Sequence, residues 1–459
     1  MAENTTDQHH EAFLRSNRPH ILMITNHGIH QWDVIPGLPD TGGQNVFVNQ
    51  FTDTLAQQGF KITIANRGGY PHPVTDDMRS GLDYKNGHER ILYLEDDVSS
   101  FVRKEDMNEH TAQLTAFLDD ALTREGQSID LIISHYWDAA KIGVLYNDKQ
   151  THPIQHVWVP HSLGKVKKRN MPPETYEDLR IDERIQVEQQ IVPQLDAVAA
   201  TSSLIRQSLK EDYGLEETLF LPPCVRTERF RPRDIPADHD IWSFVAAHLP
   251  LSEQEVQQHD IVTEISRTDQ TKRKDVLIKA FAQVLKQNPR ALLLLSIDDS
   301  EEKLAADLRG LIDNLDIASH VAEVGYVWDQ LPDLYAITSV YCSPSVMEGF
   351  GMSVQQAAAT KVPVIGSPLI PFVKEYLLGE EVAKLSLTEE THLQVGDGAI
   401  IAPADNVEGF ARALEILLQD PALRHKMGGR AYELTIPHFT WTRMTERFLD
   451  ALGVESERD

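Results

Sequence analysis

The sequence predicts an α/β protein made of two Rossmann-like, doubly wound domains facing a central cleft. Three observations carry this. From residue 20 onward, short apolar runs alternate with amphipathic helical patterns, as parallel sheets covered by helices on both faces require. The alternation breaks over 222–258, which opens PPCVRTERFRPRDIPADHD, and resumes at 260. Turns rich in Gly, His or cations follow several of the strands, where sheets of this kind bind ligands.

Taken in order, residues 1–18 carry no apolar core and read as a flexible tail rather than a leader. His20–Thr25 (HILMIT) is the first buried strand, followed by the Gly- and Pro-rich loop 27–44. Val46, Phe47, Val48, Phe51 and Leu55 mark a helix that stops at Gly59. Strands follow at 61–65, 91–94, 130–134, 157–160 and 197–201, with helices at 109–123, 138–145, about 174–192 and from Ser202 to Gly214. The second half predicts strands at 260–265, 291–297, 321–324, 339–342, 362–366 and 399–402, then three helices, the last from Trp441 to Leu452. The expected domains are 19–225 and 259–435, with 226–258 a linker or insertion. The C-terminal stretch 436–459 is expected to pack back on the first domain.

Composition narrows the function classes. Lys and Arg number 43 against 70 Asp and Glu, a net charge of −27. Such a field repels nucleic acid and anionic membrane surfaces. Two cysteines, Cys224 and Cys342, make no disulfide framework. No apolar run reaches membrane-spanning length. The expectation is a cytoplasmic protein with small-molecule partners, neither nucleic acid nor membrane, and with self-association left open.

Against this acidic background, four stretches stand out. In EISRTDQTKRKD (264–275), a strand delivers Arg267 and Lys272 to a turn before a helix. Cations beside free helical N–H groups form an anion site. In Asp40–Gln44 (DTGGQ), Gly42 and Gly43 let backbone approach a ligand closely, though a plain tight turn explains a lone Gly-Gly equally well. His161 ends the strand VWVP, and Lys165, Lys167, Lys168 and Arg169 follow it, which suits an anionic group or an exposed loop. In Glu348–Gly351 (EGFG), a carboxylate stands at a strand–helix junction, where it can accept sugar hydroxyls or merely complement the helix dipole. His27 and His30 lack a third metal ligand and read as polar loop residues. No GxGxxG, GxSxG or Walker motif is present, which argues against the standard dinucleotide, serine-hydrolase and P-loop readings.

Together DTGGQ (40–44), HYWD (135–138), HSLGKVK (161–167), SRTDQTKRKD (266–275), EGFG (348–351) and GAIIAPADNVEGFARAL (398–414) resemble the retaining GT-B glycosyltransferases of family GT4. The likeness is strongest to the branch of sucrose-phosphate and mannosylfructose-phosphate synthases. The resemblance implies a nucleotide-sugar donor in the C-terminal domain and an acceptor in the N-terminal one. It implies catalytic roles for His161 beside the donor sugar, Arg267 and Lys272 on the diphosphate, and Glu348 on the sugar hydroxyls. It implies donor contacts from Gly42, Gly43, Gly349, Phe350, Gly351 and Gln356. Acceptor contacts fall to Gln44, Asp138 and Lys167, with Lys167 on a phosphate. No cofactor is implied beyond the NDP-sugar co-substrate, and GT-B enzymes usually need no metal.

Three positions depart from the family pattern. Gln356 stands where the second carboxylate of the Glu-seven-residues-Glu pattern is usual, and its uncharged carbonyl accepts more weakly. Lys361 replaces a glycine at the helix end. Ser367-Pro368-Leu369-Ile370-Pro371 replaces a Gly-Gly turn, and proline has no N–H to offer. The reading is transfer of a hexose from an NDP-sugar to a small phosphorylated acceptor, in compatible-solute synthesis. The alternatives are a GT4 enzyme of glycan or glycolipid synthesis, and a catalytically dead sugar-nucleotide-binding relative.

Overall fold

The computed structural model describes residues 2–35, 38–171, 173–325, 327–388 and 391–455. Pro36 and Gly37 of the loop after the first strand lie outside the described residues. The chain divides into two compact units. One runs to Pro222 and regains the chain at Trp441; the other is Pro223–Thr440.

The first unit is built on β1 (His20–Ile24), β2 (Lys61–Arg67), β3 (Gly81–Asn86), β4 (Glu89–Leu94), β5 (Leu131–His135), β6 (Gln155–Val159), β7 (Ala197–Ala200) and β8 (Leu219–Phe220), in sheet order β3-β4-β2-β1-β5-β6-β7-β8. β1 pairs in parallel with β2 and β5, Ile21 lying opposite Ile62 on one side and Leu131 on the other. Every residue of β1 and β2 is buried, because helices cover both faces. Leu22, Ile24, Ile132 and Trp158 pack with Leu114, Leu118 and Ile142 in one core. Strand order turns back between β1 and β5, so the loops after these two strands flank the crevice where such sheets bind ligands.

The second unit follows the same plan with β9 (Asp260–Glu264), β10 (Ala291–Ser296), β11 (Val321–Val324), β12 (Val340–Ser343), β13 (Val364–Gly366), β14 (Ala383–Ser386), β15 (His392–Val395) and β16 (Ala399–Ile401), in order β11-β10-β9-β12-β13-β16-β15-β14. Its switch point lies between β9 and β12, and the loops that follow them are 265–273 and 344–351. Val262, Leu293, Phe281, Phe410 and Leu414 share its main core.

Four features differ from the sequence reading. Residues 1–18 are not a frayed tail: Ala2–Arg15 is a helix. Phe13 anchors it, fully buried beside His20 and Tyr84 with the Arg90 guanidinium 4.1 Å over its ring. A single apolar anchor gives too little periodicity to show in the sequence. The segment 226–258 is not an independent insertion. Its helices Asp240–Ala246 and Glu253–Val256 bury Ile241, Val245 and Val256 against Ile261, Leu292, Leu294 and Val324 of the second sheet. Strands β3, β14 and β15 went unpredicted because they lie at sheet margins. They join by antiparallel pairing and carry few buried apolar residues. The helix expected over about 174–192 shortens to Ile181–Ile191, after a 3₁₀ turn at Pro173–Thr175.

The closing helix Trp441–Leu452 belongs to the first unit. The Trp441 indole N–H donates to Gln50 at 2.7 Å, and Trp441 and Phe448 pack on Phe51.

Candidate active site

Each unit carries its own cluster of candidate residues. In the first unit, β6 runs into Pro160 and His161, and His161 takes a left-handed backbone conformation (φ 55°). A residue with a Cβ holds that conformation only where its surroundings enforce it. Arg184 and Glu188 enforce it here. The buried Arg184 guanidinium donates to the Ser162 carbonyl at 2.7 Å and to Glu188 at 2.8 Å. The Glu188 carboxylate accepts the Gly164 N–H at 2.9 Å and the Tyr213 hydroxyl. One buried ion pair therefore grips the backbone just beyond His161. A Cβ on Gly164 would stand 2.8 Å from Ile185 Cγ1 and 3.0 Å from Glu188, so only glycine fits.

The His161 ring packs edge-on against Phe47 at 4.9 Å, and its Nε2 lies 2.9 Å from Nδ1 of His135, the last residue of β5. Burial pulls the His161 pKa down to about 3, with His27 adding to the shift, so the imidazole is neutral. Asp138 starts the helix after β5 and is fully buried. Its Oδ1 accepts from His27 Nδ1 at 3.0 Å, and its Oδ2 has no partner among the described residues. His27 and His30 are thus both buried and hydrogen-bonded. The Asn45 carbonyl accepts the Gly42 N–H at 2.9 Å, and its amide donates to His30 Nδ1 at 3.2 Å.

Gly42 and Gly43 open the helix Gly43–Gln57. Neither takes a left-handed backbone conformation, Gly42 being extended (φ 175°), and a Cβ at either would meet nothing within 4 Å. Nothing inside the protein demands glycine there, which leaves room for close approach by a ligand. Gln44 donates to Thr25 Oγ1 at 3.2 Å. Asp40 pairs with Lys104, whose N–H also donates to it at 2.9 Å.

Lys104 belongs to a cationic recess that the sequence did not reveal. Lys104, Lys167, Arg180 and Arg184 line it with two carboxylates, Glu105 and Glu183, and with Tyr136, Trp137 and Leu179. The Lys104 and Lys167 ammonium groups stand 3.5 and 3.6 Å from the same Glu105 oxygen. Burial lowers the Lys167 pKa, and Arg184 and Lys104 lower it further against the pull of Glu105. Of the four cations expected after His161, only Lys167 lines this recess. Lys168 pairs with Asp182, Arg169 with Asp212, and Lys165 lies over the Tyr213 ring.

In the second unit, β9 leads into Ile265, Ser266 and Arg267, then a 3₁₀ turn at Gln270–Lys272 and the helix Lys274–Val284. The turn is tied to the loop after β12, because the Thr271 carbonyl accepts from Val346 N–H at 2.8 Å and from the Ser345 hydroxyl at 3.2 Å. Lys272 Nζ meets Glu348 Oε1 at 2.5 Å, both side chains being largely buried. Arg267 is exposed and makes no ion pair among the described residues. Arg273 and Lys274 point elsewhere. Arg273 pairs with Asp275 and Asp405. Lys274 is buried, 3.3 Å from Glu264, and donates to the Ser266 carbonyl at 2.8 Å, fixing the base of the loop.

Gly349 has open space where a Cβ would lie. Gly351 is left-handed (φ 111°) at the start of helix Met352–Ala358, and a Cβ there would stand 2.7 Å from Ile370. The Phe350 ring is committed to an aromatic cluster with Phe372, Tyr376 and Phe439. Gln356 is half-buried, and its amide has no hydrogen bond among the described residues. In the proline corner, the Ser367 hydroxyl donates to the Ser345 carbonyl and accepts the Leu369 N–H at 3.1 Å, while Ile370 N–H turns to the Ser367 carbonyl. With Ser367 N–H on the Ser343 carbonyl at 3.2 Å, all three N–H groups of that corner are consumed internally.

One group among the described residues has metal-ligand spacing: Asp96, Asp97 and His110. Both Asp96 oxygens already accept from the Arg67 fork at 2.8 Å, so this cluster is an ion pair rather than a vacant cation site.

The comparisons with known proteins agree with this architecture. Residues 41–229 match the model described as Glycosyltransferase Family 4, and residues 251–434 match that described as Glycosyl transferases group 1. The chain is 28% identical over 362 residues to mannosylfructose-phosphate synthase of Agrobacterium fabrum, covering 76% of each chain. It is 25% identical over 422 residues to D-inositol 3-phosphate glycosyltransferase of Kineococcus radiotolerans, covering 86% of this chain and 87% of that one. Its fold resembles sucrose-phosphate synthase from Thermosynechococcus elongatus with a TM-score of 0.72 at 22% identity, covering 95% of this chain and 98% of that one. No helix among the described residues is long and apolar enough to cross a membrane. The chain belongs to the family 4 glycosyltransferases and has the GT-B fold.

Proposed function

We propose that the chain is a retaining hexosyltransferase that moves a hexose from an NDP-sugar to a small phosphorylated acceptor such as fructose 6-phosphate. The observation that carries the acceptor class is the recess in which Lys104, Lys167, Arg180 and Arg184 converge. Burial, and then the charges of Arg184 and Lys104, lower the Lys167 pKa, and a phosphate beside it would favour the charged ammonium. The relatives named mannosylfructose-phosphate synthase and D-inositol 3-phosphate glycosyltransferase both carry a phosphate in their names, in keeping with this reading.

In the second unit, Arg267 and Lys272 would hold the donor diphosphate, where their charge is most favourable as negative charge grows on the leaving phosphate. Glu348 would accept hydroxyls of the transferred sugar, Gly349 and Gly351 would bring backbone close to it, and Gln356 would accept from the ribose. In the first unit, His161 would lie beside the sugar, Gly42 and Gly43 over the donor phosphates, and Gln44 and Asp138 on the acceptor. The leaving phosphate serves as base on the same face of the sugar. The mechanism therefore needs no carboxylate pair, no cofactor and no resident metal, since Arg267 and Lys272 supply the positive charge.

The test is a product assay. Purified chain is given UDP-, GDP- and ADP-hexoses with fructose 6-phosphate, and the product anomer is read by proton NMR. The proposal expects one donor to yield a phosphorylated disaccharide with the donor's anomeric configuration. An inverted product, or transfer that ignores the acceptor phosphate, contradicts it.

A further inference from the structure

His135 ends β5, is fully buried, and its side chain has one hydrogen-bond partner among the described residues, His161. Between its Nδ1 and His161 Nε2, 2.9 Å apart, there is room for one proton. Burial first, then the neighbouring imidazoles, holds both rings far below the ordinary histidine pKa, so each carries a single N–H. That leaves two arrangements. Either His135 donates from Nδ1, or His161 donates from Nε2 and the His135 proton must lie on its Nε2.

The second arrangement places an N–H on an atom that is buried and has no acceptor among the described residues. His30 cannot supply one: Asn45 donates to its Nδ1, so the His30 proton lies on Nε2, which is then a donor. The orientation of Asn45 is itself fixed, since its carbonyl accepts the Gly42 N–H. A buried orphan donor is rarer and costlier than a buried orphan lone pair. The first arrangement leaves only a lone pair unmatched. We propose that His135 is a positioning residue that fixes His161 in the Nδ1–H tautomer, so that His161 meets its ligand as a hydrogen-bond donor and not as a base.

The remaining His161 nitrogen, Nδ1, has no partner among the described residues and lies on a ring that is partly exposed. With its proton there, it can give a hydrogen bond to a hydroxyl or phosphate oxygen but cannot take a proton from one. This choice of ligand rests on the proposed transfer reaction; the tautomer does not.

The test is long-range ¹H–¹⁵N NMR of the full chain with ¹⁵N-labelled histidine at pH 7, the His161 signals being identified with His161→Gln. The expected spectrum shows His161 protonated at Nδ1 and bare at Nε2, with His135 likewise protonated at Nδ1. A His161 proton on Nε2 overturns the proposal. In His135→Leu the His161 signals should shift to a mixture of tautomers and turnover should fall about tenfold, the order expected for one lost buried hydrogen bond. His135→Asn, which keeps an N–H near the Nδ1 position, should restore both the tautomer and most of the turnover. If His161 stays wholly Nδ1-protonated in His135→Leu, His135 does not set it. Should no nucleotide-sugar be turned over at all, the proposed reaction fails while the spectrum still decides the tautomer.

Discussion

Lys272 Nζ and Glu348 Oε1 lie 2.5 Å apart, joining the loop after β9 to the loop after β12 across the switch point of the second sheet. This contact pairs the cation proposed for the diphosphate with the carboxylate proposed for the sugar. Lys272→Ala removes a preorganised charge and leaves Glu348 without its partner. Turnover should drop by about 10²–10³, the range for loss of one such stabiliser. Steady-state rates against donor concentration check this, and a change within twofold would remove Lys272 from the mechanism.

Lys167 shares Glu105 with Lys104 in the cationic recess of the first unit. If the recess holds a phosphate, Lys167→Ala should raise the Michaelis constant for a phosphorylated acceptor far more than for the same sugar without phosphate. Equal effects on the two acceptors would mean that the recess serves another purpose.

The Arg184–Glu188 pair is buried and grips the backbone beyond His161. Arg184→Leu strands the Glu188 carboxylate in the core, a change that typically costs about 3–5 kcal/mol. Denaturant unfolding should show a loss of that size, and Glu188→Leu added to Arg184→Leu should recover part of it. A loss under about 1 kcal/mol would show that the pair is solvated in the folded protein.

Acid should weaken the first unit. His20, His30, His135, His156 and His161 are held neutral chiefly by burial, with His30, His156 and His161 lowered to about 3. In the unfolded chain each protonates near pH 6.5. Below that pH the unfolded state binds protons that the folded state refuses, so stability falls as pH drops from about 6.5 towards 3 and is level above about 7. Each group contributes up to about 1.4 kcal/mol per pH unit in that window. Near-UV circular dichroism follows the loss through Trp158, a fully buried indole that donates to the Tyr136 carbonyl at 3.0 Å. Unchanged stability between pH 7 and 5 would contradict the buried, neutral assignment.

The parts of the fold legible in the sequence were those with strong apolar signatures. β1, β5 and β10 announce themselves as near-continuous apolar runs because helices cover both faces. The polar margins β3, β14 and β15 carry no such run, and the N-terminal helix depends on Phe13 alone. At the site, Lys272 and Glu348 were legible because each lies in a local strand–turn–helix pattern. Lys104, Arg184 and Glu188 were not, since folding alone brings them beside Lys167 and His161 from distant stretches. The basic runs 165–169 and 272–274 overstated the available charge, because Lys168, Arg169, Arg273 and Lys274 all have structural partners. In the proline corner, the Ser367 hydroxyl closes the turn on the Ser345 carbonyl, a contact between separate loops that the residue pattern does not show.

The central claim is that the second unit binds a nucleotide-sugar through Arg267, Lys272 and Glu348. The most direct measurement is thermal unfolding of the wild-type chain and of Lys272→Ala with UDP, GDP, ADP and their sugars, each with and without fructose 6-phosphate. A ligand at about 100 times its dissociation constant stabilises the native state by about 2.7 kcal/mol. The account predicts a clear upward shift with one nucleotide family, enlarged by the acceptor in the wild type and much reduced in Lys272→Ala. No shift with any nucleotide, or the same shift in both proteins, would contradict it.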